Sequence, residues 1–268
     1  MIFFFHPDPK GSEENQFTPL GAGVNKLIFV AGIMSNNFFT FKQFTIYQDR
    51  CAFKVGTDGV LLGAYSNVSE KDKILDIGTG TGLIAVMLAQ KGGSEITAIE
   101  PDIDSFKQAC ENVEGSKWSS QIRLKNSDLQ NFKSEVKFSL IVTNPPYFIN
   151  SLKNPDVRKA SSRHSDSLSS ADLLNGISEL LAEDGRFQII LPYIEGTIFI
   201  ADAAEYGLYC NSILKIRPLP TSDIRRTILK FTRKRTSFTE KFLTIERGAR
   251  HEFTEDYVEM TKEFYLNF

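Results

Sequence analysis

The sequence predicts an α/β protein, an open and mostly parallel sheet with helices on both faces. Three observations carry that reading. From Lys73 onward, short apolar runs alternate with helix-length segments, the pattern of strands joined by crossover helices. The first run meets the first helix at Gly78-Thr79-Gly80-Thr81-Gly82, where glycines let the backbone turn sharply out of a strand. The last two long strand-like runs are parted by the turn residues Pro218–Asp223, so an antiparallel hairpin is expected to close the sheet.

The elements follow in order. Residues 1–33 show no amphipathic period: Phe3–Phe5 run into His6-Pro7-Asp8-Pro9-Lys10-Gly11, with Pro19 and three more glycines before Met34. A mobile N-terminal extension is expected there, and Met34, where clear patterning begins, is a second candidate for the translated start. Phe41–Phe53 is aromatic and β-branched, with Gln48-Asp49-Arg50 at its middle, and reads as a hairpin. A short helix is expected after Asp58. Within a core sheet of residues 73–235, Ile74–Ile77 reads as a buried strand, Leu83–Gln90 as a helix, Glu95–Glu100 as a strand and Ile103–Val113 as a helix. Strands follow at Ile122–Lys125 and Phe138–Thr143. After a polar stretch, Asn150–Ser167, come a helix Ser169–Ala182, a strand Gly185–Leu191, a helix near Glu195–Tyr206, and the paired runs Tyr209–Ile216 and Arg226–Arg233. Residues 34–268 are then one domain, with 34–66 ahead of the sheet and 236–268 as a C-terminal extension.

Hydrophobic residues make up 41% of the 268 and charged residues 24%, enough for a large core and inconsistent with wholesale disorder. Cys51, Cys110 and Cys210 stand far apart and are odd in number, so neither a metal cluster nor a disulfide framework is expected. No apolar run approaches the roughly 18 residues of a membrane helix, and a soluble, cytoplasmic protein is expected. Net charge is −2, yet eleven Lys and Arg stand against three acids between Leu214 and Arg250. A solvated face is one reading of such a run. Arg225, Arg226, Lys230, Arg233, Lys234 and Arg235, all within eleven residues, shift the balance toward a polyanion contact.

The chemistry gathers at strand ends. Asp76-Ile77-Gly78 leads from a strand into a helix whose N-terminus offers free amides and the positive end of its dipole. A dinucleotide fingerprint needs glycine three residues after Gly80. Leu83 stands there and Asp76 precedes the first glycine, which favours a different nucleoside ligand. Glu100, 24 residues beyond Asp76 at the end of the next strand, can accept two bonds from ribose hydroxyls; a plain surface glutamate before Pro101 is the alternative. Asp128 can accept from an adenine amino group, or simply cap a turn.

Asn144-Pro145-Pro146-Tyr147 directly follows the strand Phe138–Thr143. Two prolines fix the backbone and remove two amide donors, leaving carbonyl oxygens as rigid acceptors beside the Asn144 side chain. Such a set can accept both hydrogens of a planar NH2 and aim its lone pair at an electrophile, while Tyr147 stacks on the planar group.

Together these residues resemble the class I S-adenosylmethionine-dependent methyltransferases of the Asn-Pro-Pro-Tyr type, from roughly Phe38 to the C-terminus. Phe53-Lys54-Val55-Gly56-Thr57-Asp58-Gly59-Val60-Leu61-Leu62 and Arg163-His164-Ser165 are similar to the bacterial valine-tRNA adenine-37 N6-methyltransferases. Residues 1–33 fall outside the resemblance. It implies a Rossmann-like sheet of seven strands and S-adenosyl-L-methionine as cofactor, contacted by Asp58, Asp76, Gly78, Gly80, Glu100 and Asp128. Segment 34–66 would cover the methionine end, with Asp58 at its amino group. Catalysis would fall to Asn144, Pro145, Pro146 and Tyr147, without a metal. The partner would be tRNA, with Arg163 in a substrate loop and Arg233, Lys234 and Arg235 on its phosphates, the enzyme being taken as a monomer. Because the motif recognises a planar NH2 and not adenine as such, a protein glutamine is the alternative acceptor. A non-catalytic RNA-binding module is the third reading.

Overall fold

The computed structural model describes residues 36–51, 53–146 and 168–268; the expectations placed on residues 1–33, Tyr147, Asn150–Ser167 and Arg163 lie outside these. The described chain opens with the hairpin β1 (Phe38–Thr40) and β2 (Thr45–Tyr47), followed by helix α1 (Thr57–Tyr65). Then come β3 (Lys73–Ile77), α2 (Leu83–Gln90), β4 (Glu95–Glu100), α3 (Ile103–Glu114), β5 (Ile122–Asn126) and β6 (Phe138–Thr143). The rest is α4 (Ser170–Leu180), β7 (Leu181–Pro192), α5 (Tyr193–Glu205), β8 (Tyr209–Arg217), β9 (Arg226–Thr232), β10 (Thr239–Thr244) and α6 (Glu255–Thr261).

Eight strands form one sheet in the order β10-β8-β9-β7-β6-β3-β4-β5. Within it β9 alone runs against its neighbours, so the expected antiparallel closure is present. The seven strands of the expected fold are joined by an eighth, β10, parallel to β8 at the outer edge. Nothing in its apolar pattern announces it, because four of its six residues are exposed and an edge strand carries charges that discourage further pairing.

The strands alternate their apolar side chains between two cores. Ile74, Leu140, Val142, Ile190 and Ile228 pack with α1, α2 and α6 on one face. Leu75, Ile141, Ile189, Leu191 and Leu229 pack with α4 and α5 on the other. Helix α2 is buried from Leu83 to Ala89, since it is sandwiched between the sheet and α1. That closeness needs Gly63, where a Cβ would stand 2.8 Å from Met87 Sδ.

The first hairpin comes earlier than the sequence suggests. Its turn is at Phe41–Phe44, with Phe41 N donating to Phe44 O. Gln48 is a buried clamp and not a turn residue: Nε2 donates to Asn36 O at 2.9 Å, and Oε1 accepts from Val55 N at 2.7 Å. A polar side chain satisfied at both ends tolerates burial, which composition alone does not reveal. Strand β7 also begins earlier than expected, at Leu181, where it pairs with Phe138 before an irregularity in register.

Candidate active site

Register decides which loops meet. Ile77 pairs with Ile99 on one side and with Thr143 on the other, so the turn after β3 emerges between Glu100 and Asn144. Gly78 N and Thr79 N both donate to Ile99 O, and Thr143 Oγ1 donates to Ile77 O at 2.9 Å, which ties the three strand ends together. Gly78 and Gly80 have φ of 68° and 56°, a region that glycine enters without strain. A Cβ on either would meet nothing within 4 Å, so an open cradle lies above the turn.

Glu100 forms one wall. It is buried, with Oε2 accepting from Gly80 N at 2.8 Å and Oε1 from Asp102 N at 3.0 Å. Each oxygen keeps a lone pair for a second donor. Burial pushes this carboxyl up, against the pull of the two amides. Asp76 is the floor. Its Oδ2 accepts from Thr79 Oγ1 at 2.6 Å, and its Oδ1 is buried with no hydrogen-bond partner among the described residues. Burial pushes the Asp76 carboxyl up to about 7, opposed by the Thr79 hydroxyl and the nearby Ala85 amide. An unfilled buried acceptor below an open glycine cradle fits a ligand bringing donors or positive charge.

The opposite wall is the motif. Asn144 is half-buried, Pro145 buried and Pro146 exposed. Helix α1 closes on it from above: a Cβ at Gly59 would lie 3.2 Å from Leu83 Cδ2 and 3.9 Å from Asn144 Nδ2. The neighbouring Asp58 is held by Arg226, Nε to Oδ2 at 2.7 Å, so α1 is pinned to the start of β9.

Other expected residues stand differently. Asp128 turns its carboxylate onto its own loop, accepting from Asn131 N at 2.7 Å and Asn131 Nδ2 at 2.8 Å, and Ser127 N donates to Glu100 O, which keeps this loop at the site. Arg233, Lys234 and Arg235, expected on tRNA phosphates and not on the reacting base, lie at the sheet edge away from Asn144. Strand β9 is antiparallel, with Arg226 beside Pro192 and Thr232 beside Arg186, and six residues at ~3.3 Å put its two ends about 20 Å apart. Arg233 donates to Ser178 O and Leu181 O at the end of α4, Lys234 pairs with Asp184, and Arg235 lies over the Tyr209 ring. Charge density in a sequence does not register that an antiparallel strand carries its end away. Of the same cluster, Lys230 stands over the Tyr65 ring, its ammonium pushed down to about 8 by burial.

Sequence reasoning missed Asn112. Buried on α3, its Nδ2 donates to Tyr47 O and Thr81 O, and its Oδ1 accepts from Tyr47 N, which lashes the hairpin to the glycine turn. One helical turn earlier, Gln108 Oε1 accepts from Arg50 N. Two amides spaced i, i+4 on the face that should be apolar are the signal that was available.

Residues 54–191 match the family model of the methyltransferase small domain. A tRNA1(Val) (adenine(37)-N6)-methyltransferase of Bacteroides fragilis is 44% identical over 237 residues, which cover 87% of this chain and 99% of the relative. The chain belongs to this family. The correspondingly named protein of Trichodesmium erythraeum is 42% identical over 240 residues, covering 88% of this chain and 100% of that one. Among solved structures, a predicted O-methyltransferase of Agrobacterium tumefaciens is 18% identical with a TM-score of 0.60, covering 77% of this chain and 96% of its own. That likeness speaks for the Rossmann-like fold. The family membership read from Phe53–Leu62 and the strand-end motifs is thereby met. No group of three or more His, Cys, Asp or Glu among the described residues is placed to hold a metal, and no described helix is long and apolar enough to cross a membrane.

Proposed function

We propose that this protein methylates the exocyclic N6 of an adenine in tRNA, at the place its relatives' names give, position 37 of a valine tRNA. The observation that carries the reading is the juxtaposition of Glu100, the open glycine turn and Asn144 on three adjacent strand ends. Two strand spacings, about 10 Å, separate Glu100 from Asn144, so a nucleoside held by one presents its far end to the other.

S-adenosyl-L-methionine supplies a methyl group on a positively charged sulfur. The remaining work falls to this chain. Glu100 takes ribose hydroxyls on its free lone pairs, Gly78 and Gly80 leave room for the nucleoside, and the unfilled Asp76 oxygen can accept from a ligand donor. The Asn144 side-chain oxygen and the Pro145 carbonyl accept the two N6 hydrogens and hold the nitrogen lone pair in line with the methyl carbon. By the motif, Tyr147 stacks on the adenine face. No strong base is required, because N6 becomes acidic as it gains the methyl and then releases its proton. The base must first leave its stack, which is easiest in a loop.

Unmodified tRNA, the protein and methyl-labelled cofactor, followed by mass spectrometry of digested nucleosides, test the reading. Labelled N6-methyladenosine is the expected product. Label recovered in a protein bearing an exposed glutamine, and not in tRNA, would overturn the acceptor while keeping the chemistry.

A further inference from the structure

The sheet edge that carries the site is divided in charge. Toward β4 and β5 it bears Glu100, Asp102, Asp104 and Asp128. Toward β8 and β10 it bears Arg217 at the end of β8, Arg225 just before β9, and Arg247 and Arg250 in the loop after β10. Arg225, Arg247 and Arg250 are exposed. The loop holding the last two is firmly built: Ile245 N donates to Arg217 O, Glu246 N to Pro218 O, and Arg247 N to Glu252 O. His251 takes a left-handed φ of 70°, fixed by its amide donating to Glu246 Oε1 at 2.8 Å. That bond turns Glu246 onto its own loop; the exposed acids of this half are Asp223, Glu252 and, at the start of α6, Glu255 and Asp256.

Strand order places these groups in a line. Starting at Asn144 just after β6, the edge passes Ile194 at the head of α5, then Arg225 just before β9, Arg217 at the end of β8, and Arg247 and Arg250 beyond β10. Ile194 is 72% exposed, an apolar step next to the motif that suits a base and not a phosphate. The arginines begin beyond it, about 10 Å from β6, and extend over two further strand spacings to about 19 Å. A polyanion entering from the acidic half would be repelled by the carboxylates that face the nucleoside site.

We propose that this line of arginines, and not Arg233–Arg235, receives the phosphate backbone of the RNA as it runs away from the target base. The inference rests on the RNA reading above and assigns it a direction across the protein. Its test uses the full chain with an unmodified tRNA transcript. Reversing Arg225, Arg247 and Arg250 to Glu is expected to weaken tRNA binding at least ~10-fold near 0.1 M salt and to lower the slope of log Kd against log salt by about two to three. Melting temperature and cofactor affinity should stay as in the wild type. Arg217 is left intact because its Nε donates to Thr244 Oγ1 and joins β8 to β10. Arg247→Ala with Arg250→Ala, confined to the exposed loop, should shift binding in the same direction by less. Lys234→Glu with Arg235→Glu should change it no more than about twofold. Wild-type affinity and salt slope in the triple variant, or an equal loss in the Lys234 and Arg235 variant, would overturn the proposal while leaving the RNA reading in place. A wild-type protein that transfers no methyl to tRNA would overturn both.

Discussion

Asn144 is partly exposed, lies beside Gly59 of α1 and follows a strand that Thr143 fastens to β3. Its replacement should therefore disturb orientation and little else. Asn144→Ala is expected to melt and bind cofactor as the wild type does, with KM for tRNA nearly unchanged and kcat lower by a factor of roughly a hundred or more. Turnover at the wild-type rate would remove Asn144 from the chemistry. Glu100→Ala removes the acceptor we propose for two ribose bonds and should weaken cofactor binding by about 1.5 to 3 kcal/mol, read by calorimetry. Asp76 makes a different kind of prediction. Its carboxyl, about 7 in the folded protein against an ordinary 3.8, stays protonated in the native state where the unfolded chain has already ionised. Native protein thus binds the extra proton, so stability falls as pH rises from about 4 to about 7, on the order of a few kcal/mol. Urea unfolding at pH 5 and pH 7.5 should show this decline, and Asp76→Asn should flatten most of it. Glu100, shifted the same way, accounts for a remainder. The positions of these three residues were legible in the sequence because each lies near the end of, or directly after, a strand that its own apolar run announces. Asp128 and Arg233 were not, because what occupies them is a loop partner in one case and the distant end of α4 in the other.

Among the elements, the strand ends opposite the site are held by Asp72. It accepts from Arg186 Nη1 at 3.0 Å and Nη2 at 2.6 Å, from Ser139 Oγ at 2.7 Å and from Ser69 N at 2.7 Å, which joins the approach to β3 with β6 and β7. Burial alone would raise this carboxyl; the Arg186, Ser139 and Ser69 bonds win and hold it down at about 2. Its stabilisation is full above the unfolded value near 3.8 and is lost only as pH falls toward 2, outside the window in which Asp76 acts. Removing one member of a buried pair costs about 3 to 5 kcal/mol; with Arg186 30% exposed, Asp72→Ala should cost nearer the lower figure. Denaturant midpoints should drop while the turnover of whatever protein remains folded is kept. A loss of turnover with unchanged stability would mean that this cluster reaches the site. Elements with uniform apolar runs, such as α2, β4 and β6, were readable to the residue from the sequence. The first hairpin and β10 were not, since Gln48 is polar yet buried and β10 is a strand yet mostly exposed. Burial is a property of the assembled sheet that local pattern only approximates.

At the scale of the whole molecule, function follows from a division of labour between the sheet's two edges. The carboxyl ends of β3, β4 and β6 gather the chemistry, whereas the other edge is tied by Asp72 with Arg186 and carries the spent cations Lys234 and Arg235. Sequence charge alone does not tell at which edge Arg233, Lys234 and Arg235 come to lie, because direction along a strand is a topological fact. The insertion of β9 between β7 and β8 has another outcome, one that concerns biosynthesis. Residues 226–232 arrive after β8 has already been made, so during translation the β7 edge, apolar at Phe187 and Ile189–Leu191, waits with its ladder groups unsatisfied until most of the chain has left the ribosome. An uncovered strand of that kind is a template for self-association. A nascent chain stalled before Arg226 is therefore a hazard to be shielded or destroyed, and the order in which the gene is read sets when the molecule becomes safe.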